Sequence, residues 1–214
     1  YTYGIKGVHT ASYWKSKIGQ LAWDGKANPN KYCLPKYDLL QDTNCDRKLD
    51  GLRIGDFNFN GKQDRGECTL VYSKAKALSA LCSTKSGAPQ IEKELVAAWL
   101  NMRNGNAYDD GDGKLESCEP AYWINQALKY LKACGSKSTT KIAAYSKGID
   151  IDKDGRYGES CDIQSGAKIL AILKQYNKDG TIPCKDYSAP EKDCGCHGSN
   201  DDAMALSFLS NSLT

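Results

Sequence analysis

Residues 56–67 read DFNFNGKQDRGE, with oxygen-bearing side chains at alternate positions on both sides of Gly61. Counted from the first aspartate, oxygen donors stand at positions 1, 3, 5, 7, 9 and 12, and position 7 contributes its backbone carbonyl. This order suits Ca²⁺, because alternate hard oxygens surround the ion, the glycine permits a sharp turn, and a distal carboxylate binds through both oxygens. The predicted ligands are Asp56, Asn58, Asn60, Lys62, Asp64 and Glu67.

The ligand order of this loop resembles that of EF-hand proteins, and its two asparagines make it similar also to the calcium loops of dockerin modules. The resemblance implies Ca²⁺ as a structural cofactor, at one to three sites. The alternative interpretation is a polar Asn/Gly turn that holds no metal.

The pattern recurs twice further along the chain, which indicates an internal repeat. Each unit contains an acidic loop with a glycine, then Glu and Cys, then an amphipathic stretch, and the stretches cover residues 66–82, 116–134 and 159–176. Aligned on Gly113, the second loop offers Asp110, Asp112, Lys114, Glu116 and Glu119. Aligned on Gly155, the third loop offers Asp150, Asp152, Asp154, Arg156 and Glu159. Neither match is complete, because Tyr108 occupies position 1 of the second loop and Glu159 is displaced in the third.

Apolar residues at spacings of three and four predict helices around these loops. The aligned faces are Ile91, Leu95, Trp99 and Met102; Trp123, Ala127, Leu131 and Cys134; and Ile163, Ala167, Leu170 and Leu173. Pro120 suits a first helical turn, and Gly105 is placed to end the helix before the second loop. The predicted fold is mainly α, built of helix–calcium loop–helix repeats with long loops and crosslinked by disulfides.

A further acidic run, QDTNCDRKLDG, precedes the first loop at residues 41–51. Asp42, Asn44, Asp46 and Asp50 would stand at positions 1, 3, 5 and 9 of a loop whose position 12 is Arg53. An arginine cannot supply the distal carboxylate, so this run is a degenerate site, a set of ligands shared with the neighbouring loop, or an Asp-rich turn. The turn is favoured slightly.

Ten cysteines accompany only two histidines, and no CxxC pair occurs. This pattern disfavours a zinc site and predicts up to five disulfides in an oxidising, secreted or cell-surface location. Cys68 cannot pair with Cys82, nor Cys118 with Cys134, because the ends of the predicted helices lie about 20 Å apart and bonded cysteines need Cα atoms within about 7 Å. We expect the bridges to tie helices to neighbouring helices or loops.

Two short motifs in the first half of the chain resemble an uncharacterised family of secreted and cell-surface domains. The family's opening motif reads approximately Gly-Tyr-Trp-Lys-Asn-His, and residues 12–16 read SYWKS, so the glycine, asparagine and histidine are missing. Residues 94–105, ELVAAWLNMRNG, resemble the family's helix that ends in Leu-Asn and a glycine-bearing turn. The resemblance implies a location more than an activity.

The chain has 214 residues, a net charge of +3 and interspersed charges, so nucleic acid is not a predicted partner. No apolar run is long enough to span a membrane, and numbering that begins at Tyr1 agrees with a leader already removed. No GxSxG, HExxH or GxxxxGK motif occurs, which argues against an enzyme. We divide the chain into an aromatic segment and first acidic turn (1–55), a repeat region (56–176) and a cysteine-rich loop with a tail (177–214), in one compact domain.

These observations predict a secreted or surface-displayed calcium-binding protein with a structural or adhesive role, such as the self-associating subunit of an extracellular filament. One alternative is a monomeric module that binds polysaccharide through exposed Tyr and Trp rings. A secreted hydrolase with an unrecognised acid and base is the other.

Overall fold

The computed structural model of the chain describes residues 7–26, 38–44, 47–61, 68–105, 116–135, 139–151 and 162–183. About half of these residues are helical, and a small antiparallel sheet accompanies the helices. In chain order the elements are α1 (Ala11–Trp14), α2 (Lys17–Gln20), a 3-10 turn (Leu21–Trp23), β1 (Gly51–Ile54), β2 (Leu70–Ser73), α3 (Lys74–Leu81), α4 (Ala88–Arg103), α5 (Pro120–Cys134), α6 (Ala143–Ser146) and α7 (Gly166–Asp179).

Helix α4 lies at the centre and contacts α1, α3, α5 and α7. Every residue from 94 to 102 is buried, so this helix has no solvent-facing stripe over more than two turns. An α-helix that is enclosed on all sides needs partners on each face. The core accordingly draws its buried side chains from the whole described chain, from Ala11 to Tyr176.

A buried asparagine joins three parts of the chain to α4. The Asn101 side-chain oxygen accepts hydrogen bonds from the Trp14 indole Nε1 (3.0 Å) and the His9 backbone N–H (2.7 Å). Its Nδ2 donates to the His9 carbonyl (2.9 Å) and to Asn177 Oδ1 on α7 (3.0 Å). Asn177 in turn donates to the Glu94 carbonyl and to its carboxylate, both at 2.9 Å. The SYWKS and ELVAAWLN motifs therefore meet in space.

The two strands form a hairpin that carries the first predicted calcium loop. Gly51 pairs with Ser73 and Ile54 with Leu70 in an antiparallel register. Gly55 follows β1 with a φ of +95°, and a Cβ there would lie 1.9 Å from the Cys68 carbonyl oxygen, so the strands can close only around a glycine. Ser73 ends β2 and accepts a hydrogen bond from the Lys76 N–H, which starts α3 directly.

The predicted fold class is wrong, because the first loop does not lie between two helices as the predicted helix–calcium loop–helix repeat requires. The loop at residues 56–67 leaves a strand and returns toward a strand, and α3 begins only at Lys74. The amphipathic stretch at 66–82 therefore divides into β2 and a helix of eight residues. The stretch at 159–176 also starts later than predicted, because Ile163 pairs with Ile149 as an isolated bridge and α7 begins at Gly166.

The prediction of helices crosslinked by up to five disulfides is also wrong, because no two cysteines of the described ranges lie at bonding distance and two of them are unbonded. Cys82, at the end of α3, and Cys134, at the end of α5, are free thiols. Cys68 and Cys118 are disulfide-bonded, but not to each other or to another cysteine in the described ranges. The predicted absence of Cys68–Cys82 and Cys118–Cys134 pairs is thereby confirmed.

In the part of the chain that the structure describes, no helix is both long enough and apolar enough to cross a membrane. Helix α4, the longest, has 16 residues, fewer than the roughly 20 that a bilayer core requires.

Candidate metal centre

Asp56 starts the first loop and is only 1% exposed. Its Oδ1 accepts a hydrogen bond from the Asn60 N–H (3.1 Å), and its Oδ2 accepts one from the Gly61 N–H (2.9 Å). A buried carboxylate must be compensated by hydrogen bonds or by a cation, since its charge is costly away from water. The chain supplies the hydrogen bonds by folding the loop backbone around the carboxylate.

Asn58 points its side-chain oxygen to the same place. Its Oδ1 accepts a hydrogen bond from the Asn60 N–H at 3.0 Å, so the oxygens of positions 1 and 3 share one donor. The backbone turns sharply here, with φ of +57° at Phe59 and +76° at Gly61. The described part of the loop thus brings an aspartate and an asparagine oxygen to the same backbone N–H group.

Two phenylalanines fix this loop on α4. The ring centroids of Phe57 and Phe59 lie 5.7 Å and 6.1 Å from that of Trp99, which is fully buried. Phe59 itself is 43% exposed. Aromatic pairs at these separations attract each other beyond the apolar area that they bury. The loop start is therefore held against the central helix as well as against β1.

Arg103, at the end of α4, brings a positive charge to the loop. Its guanidinium carbon lies 4.8 Å from the centroid of the Phe59 ring, and its Nε donates to the Leu39 carbonyl at 3.3 Å. Partial burial lowers the pKa of Arg103, while the charges of Asp38 and Asp56 raise it. The Asp38 carboxylate accepts hydrogen bonds from three backbone N–H groups, those of Gly25, Lys26 and Leu40.

The described donors of the first loop fit a hard cation. A carboxylate has about four acceptor positions, and the Asp56 oxygens use one each for the N–H groups of residues 60 and 61. Each oxygen therefore keeps a lone pair that a metal ion can use. Asn60 is also described, whereas Lys62, Asp64 and Glu67 lie outside the described residues.

The second loop lies between α4 and α5, and the structure describes only its last predicted ligands. Glu119 is 2% exposed and immediately precedes α5, and its Oε2 accepts a hydrogen bond from the Glu116 N–H at 3.1 Å. Through this contact the carboxylate of Glu119, at position 12 of the loop, binds the backbone of Glu116, at position 9. The remaining predicted ligands, Asp110, Asp112 and Lys114, lie outside the described residues.

The third loop is closed by an antiparallel bridge, with hydrogen bonds of 2.8 Å and 3.0 Å between Ile149 and Ile163. Gly148 makes this approach possible, because a Cβ there would lie 2.4 Å from the Ile163 carbonyl oxygen. Asp150 is described at the loop start, and Asp162 accepts a hydrogen bond from the Ile151 N–H at 2.9 Å. The predicted ligands that lie outside the described residues are Asp152, Asp154, Arg156 and Glu159.

The sequence-based prediction missed Asp162, which is 2% exposed. A signal was present, since Glu-Ser-Cys is followed by an acid in both later units, Glu119 in one and Asp162 in the other. Both acids are buried and both accept a backbone N–H of the preceding loop. The acid after the cysteine thus holds the end of its loop in each case.

In the acidic run at residues 42–53, the described carboxylates accept hydrogen bonds from N–H groups of the same run. Asp42 accepts hydrogen bonds from the N–H groups of Asn44 (3.3 Å) and Arg47 (2.7 Å). Asp50 accepts from the Thr43 hydroxyl (2.7 Å) and N–H (3.1 Å), and these two bonds lower the pKa of its carboxyl. The described residues form an Asx-type turn.

Within the described ranges, no three His, Cys, Asp or Glu side chains converge on one point. The first loop contributes one such residue to these ranges, Asp56, and the second contributes Glu116, Cys118 and Glu119. Two acids of the third loop are described, Asp150 and Asp162. The amide oxygens of the first loop are therefore the main described partners for a cation beside Asp56.

All four tryptophans of the chain are buried, with exposures of 2% or less. A stacking surface for sugar rings would need exposed aromatic faces, so tryptophan does not supply one here. Comparison of the chain with protein-family profiles, curated protein sequences and solved structures found no match.

Proposed function

We propose that this chain is a secreted or cell-surface protein whose loop at residues 56–67 binds structural Ca²⁺. The proposal is supported above all by Asp56, a carboxylate that is almost fully buried and shares a hydrogen-bond donor with the Asn58 amide oxygen. The ion would be held by Asp56, Asn58 and Asn60, the Lys62 carbonyl, and the carboxylates of Asp64 and Glu67.

When bound, Ca²⁺ supplies a positive charge that joins the two ends of the loop. The chain's own contribution is to place the first ligands, because β1 ends directly before Gly55 and Asp56, and Trp99 holds Phe57 and Phe59. A hairpin fixed at one end by packing is well suited to a permanent structural ion. We therefore propose a structural role for the site rather than a reversible sensor.

Calcium titration by isothermal calorimetry tests the site. We expect wild-type protein, stripped of metal with a chelator, to bind Ca²⁺, and Asp56→Asn to bind it at least about 10-fold more weakly, because one ligand charge is lost. Asp179→Asn is the matched control, since Asp179 is exposed at the end of α7 and accepts hydrogen bonds only from Thr181 in the described contacts. An unchanged affinity in Asp56→Asn would remove this site from the proposal.

We further propose that the protein is a subunit of an extracellular assembly. Ile18 and Leu21 support it, because these two apolar side chains are 60% and 42% exposed and lie three residues apart on neighbouring helical turns. Electron microscopy of native particles, with calcium and with a chelator, distinguishes the roles. Regular polymers support the assembly, whereas isolated monomers that bind a glycan would favour a carbohydrate-binding module.

A further inference from the structure

The sequence contains two Asn-Gly pairs, Asn60–Gly61 in the first loop and Asn104–Gly105 at the end of α4. In such a pair the glycine nitrogen can attack the side-chain amide carbon of the asparagine, because glycine has no Cβ to obstruct the approach. The attacking nitrogen has to lose its proton, so a base that already accepts its hydrogen bond favours the reaction. The two pairs differ in this respect.

The N–H of Gly61 is bonded to a base. It donates to Oδ2 of Asp56 at 2.9 Å, a distance at which a general base takes a proton. The other carboxylate oxygen, Oδ1, accepts the Asn60 N–H at 3.1 Å, so the pair itself orients the carboxylate. Asp56 is almost fully buried, and its hydrogen bonds are electrostatically stronger there than in water.

The first pair also has room to react. Asn60 and Gly61 are both exposed, and a Cβ built on Gly61 would meet no atom of the described chain within 4 Å. Gly61 has a φ of +76°, so the chain turns outward at the nitrogen that would attack. A ring formed between this nitrogen and the Asn60 side chain would therefore lie on the open side of the turn.

We propose that Asn60–Gly61 is a self-modification site, at which Asp56 is the general base for intramolecular deamidation of Asn60. The Gly61 nitrogen bonds to Cγ of Asn60, the bond from Cγ to Nδ2 breaks, and the Gly61 proton passes through the Asp56 carboxylate to the departing ammonia. Water then opens the resulting succinimide, which leaves aspartate or isoaspartate at position 60. The overall reaction consumes one water molecule, releases one ammonia molecule, and oxidises or reduces nothing.

This inference goes beyond the proposed calcium site and does not depend on it, because every group that reacts belongs to the described residues. Its product adds a carboxylate to a loop that holds a neutral amide at position 60. The change is irreversible, since the ammonia is lost to solvent. The loop would therefore gain negative charge as the protein ages.

The second pair is a control within the same molecule. The Gly105 N–H donates to the Met102 carbonyl at 3.0 Å, and a peptide carbonyl is not a base that takes this proton. The Asn104 Nδ2 donates to the Gly7 carbonyl at 3.1 Å, which holds the side chain away from attack. We expect Asn104 to react more slowly in the folded protein than in an unfolded chain.

Deamidation rates at neutral pH test the inference, read by mass spectrometry of the peptides that contain each pair. The protein is incubated with a chelator, beside a synthetic peptide of residues 54–62, which has the same covalent neighbours without the fold. We expect Asn60 to react at least about 10-fold faster in the folded protein than in the peptide, because general-base catalysis contributes a factor of about 10² or more. Asp56→Asn should slow the reaction to about the rate of the peptide. Asp179→Asn, at an exposed carboxylate after α7's last buried turn, should leave it unchanged.

Two results would overturn the inference. One is a rate at Asn60 in the folded wild type that equals or falls below that of the peptide, a comparison that requires no variant to fold. The other is an Asp56→Asn protein that unfolds cooperatively in urea and still deamidates at the wild-type rate, because Asp56 would then not be the base. Neither result bears on the proposed calcium site, and a failure to bind Ca²⁺ would leave this inference standing.

Discussion

Phe59 is, with Arg47, one of two non-glycine residues in the described ranges whose backbone has a positive φ. Its φ of +57° lies in the left-handed region, which costs a non-glycine residue about 1–2 kcal/mol. Strain of this kind persists where surrounding contacts fix it, and here the contacts are those with Trp99 and Arg103. The residue stands at position 4 of the proposed calcium loop, so the strain is located at the candidate site.

Because of this strain, we expect the usual order of stability of Ala and Gly variants to be reversed at position 59. Phe59→Gly and Phe59→Ala both lose the ring contacts, but only glycine adopts a positive φ without cost. We expect Phe59→Gly to be more stable than Phe59→Ala by about 1 kcal/mol in urea unfolding. At Lys174, an exposed position within α7, we expect the ordinary order, with Ala more stable than Gly by about 1 kcal/mol. Equal stabilities at position 59 would mean that its backbone is not held left-handed in solution.

The two cysteines that are free within the described ranges are expected to differ in reactivity. Cys82 is exposed, whereas Cys134 is half-buried, and burial raises the pKa of the Cys134 thiol to about 11. Because the thiolate is the reacting form, we expect an aromatic disulfide reagent at pH 8 to modify Cys82 at least about 10-fold faster than Cys134. The rate at each of the two residues is read by mass spectrometry of their peptides, and Cys82→Ser should leave the slow modification of Cys134 unchanged. Equal rates at Cys82 and Cys134 would contradict the assigned burial.

Among the elements, α4 connects the candidate site to the rest of the core. Trp99 contacts the loop phenylalanines, and two residues later Asn101 bonds to α1, α7 and the segment around His9. One helix therefore carries both the support of the loop and the polar link to the amino-terminal aromatic motif.

The polar link should be costly to remove. Asn101→Leu leaves the Trp14 indole N–H, the His9 backbone groups and Asn177 without these partners in a buried place, so we expect a loss of about 3 kcal/mol or more of unfolding free energy. Asn104→Leu is the matched control at the residue that directly follows α4, because its partly exposed side chain donates only to the Gly7 carbonyl in the described contacts and its loss should cost under about 1 kcal/mol. Chemical denaturation measures both. Similar losses in the two variants would show that the hydrogen bonds of Asn101 contribute no more to the unfolding free energy than a single partly exposed hydrogen bond.

The long helices were predictable from periodicity, whereas the short strand β2 and the Ile149–Ile163 bridge were not. Ile91, Leu95, Trp99 and Met102 are buried as predicted, and α5 begins at Pro120 as its sequence indicates. The predicted face of α7 was wrong at Ala167, which is exposed, because the face was counted from Ile163, a residue of the bridge. A strand of four residues such as β2 gives too short a pattern to separate from a helix start.

The candidate site could be predicted only in part, for a related reason. The spacing from Asp56 to Asn60 identifies oxygen donors, and the structure brings the first two of them to one N–H group. Arg103 could not be found in the same way, because it lies 47 residues beyond Asp56 in sequence and reaches the loop only through tertiary packing. The disulfide prediction failed for a simpler reason, since a count of cysteines contains no distances.

At the scale of the whole molecule, the three proposed loops are attached to one core. The first leaves β1, the second joins α4 to α5, and the third is closed by the Ile149–Ile163 bridge ahead of α7. Helix α4 contacts both α5 and α7, so ions bound in these loops would brace elements that pack on a common helix. The account therefore depends most on whether the best-matched loop, at Asp56, holds Ca²⁺.

The most direct measurement is a crystal structure of the protein grown with millimolar CaCl₂, with anomalous scattering recorded to identify the metal. The account predicts an anomalous peak at the first loop, coordinated by six to eight oxygens at about 2.4 Å that include those of Asp56 and Asn58. A loop at Asp56 that is well ordered at this calcium concentration and holds only water would contradict the account.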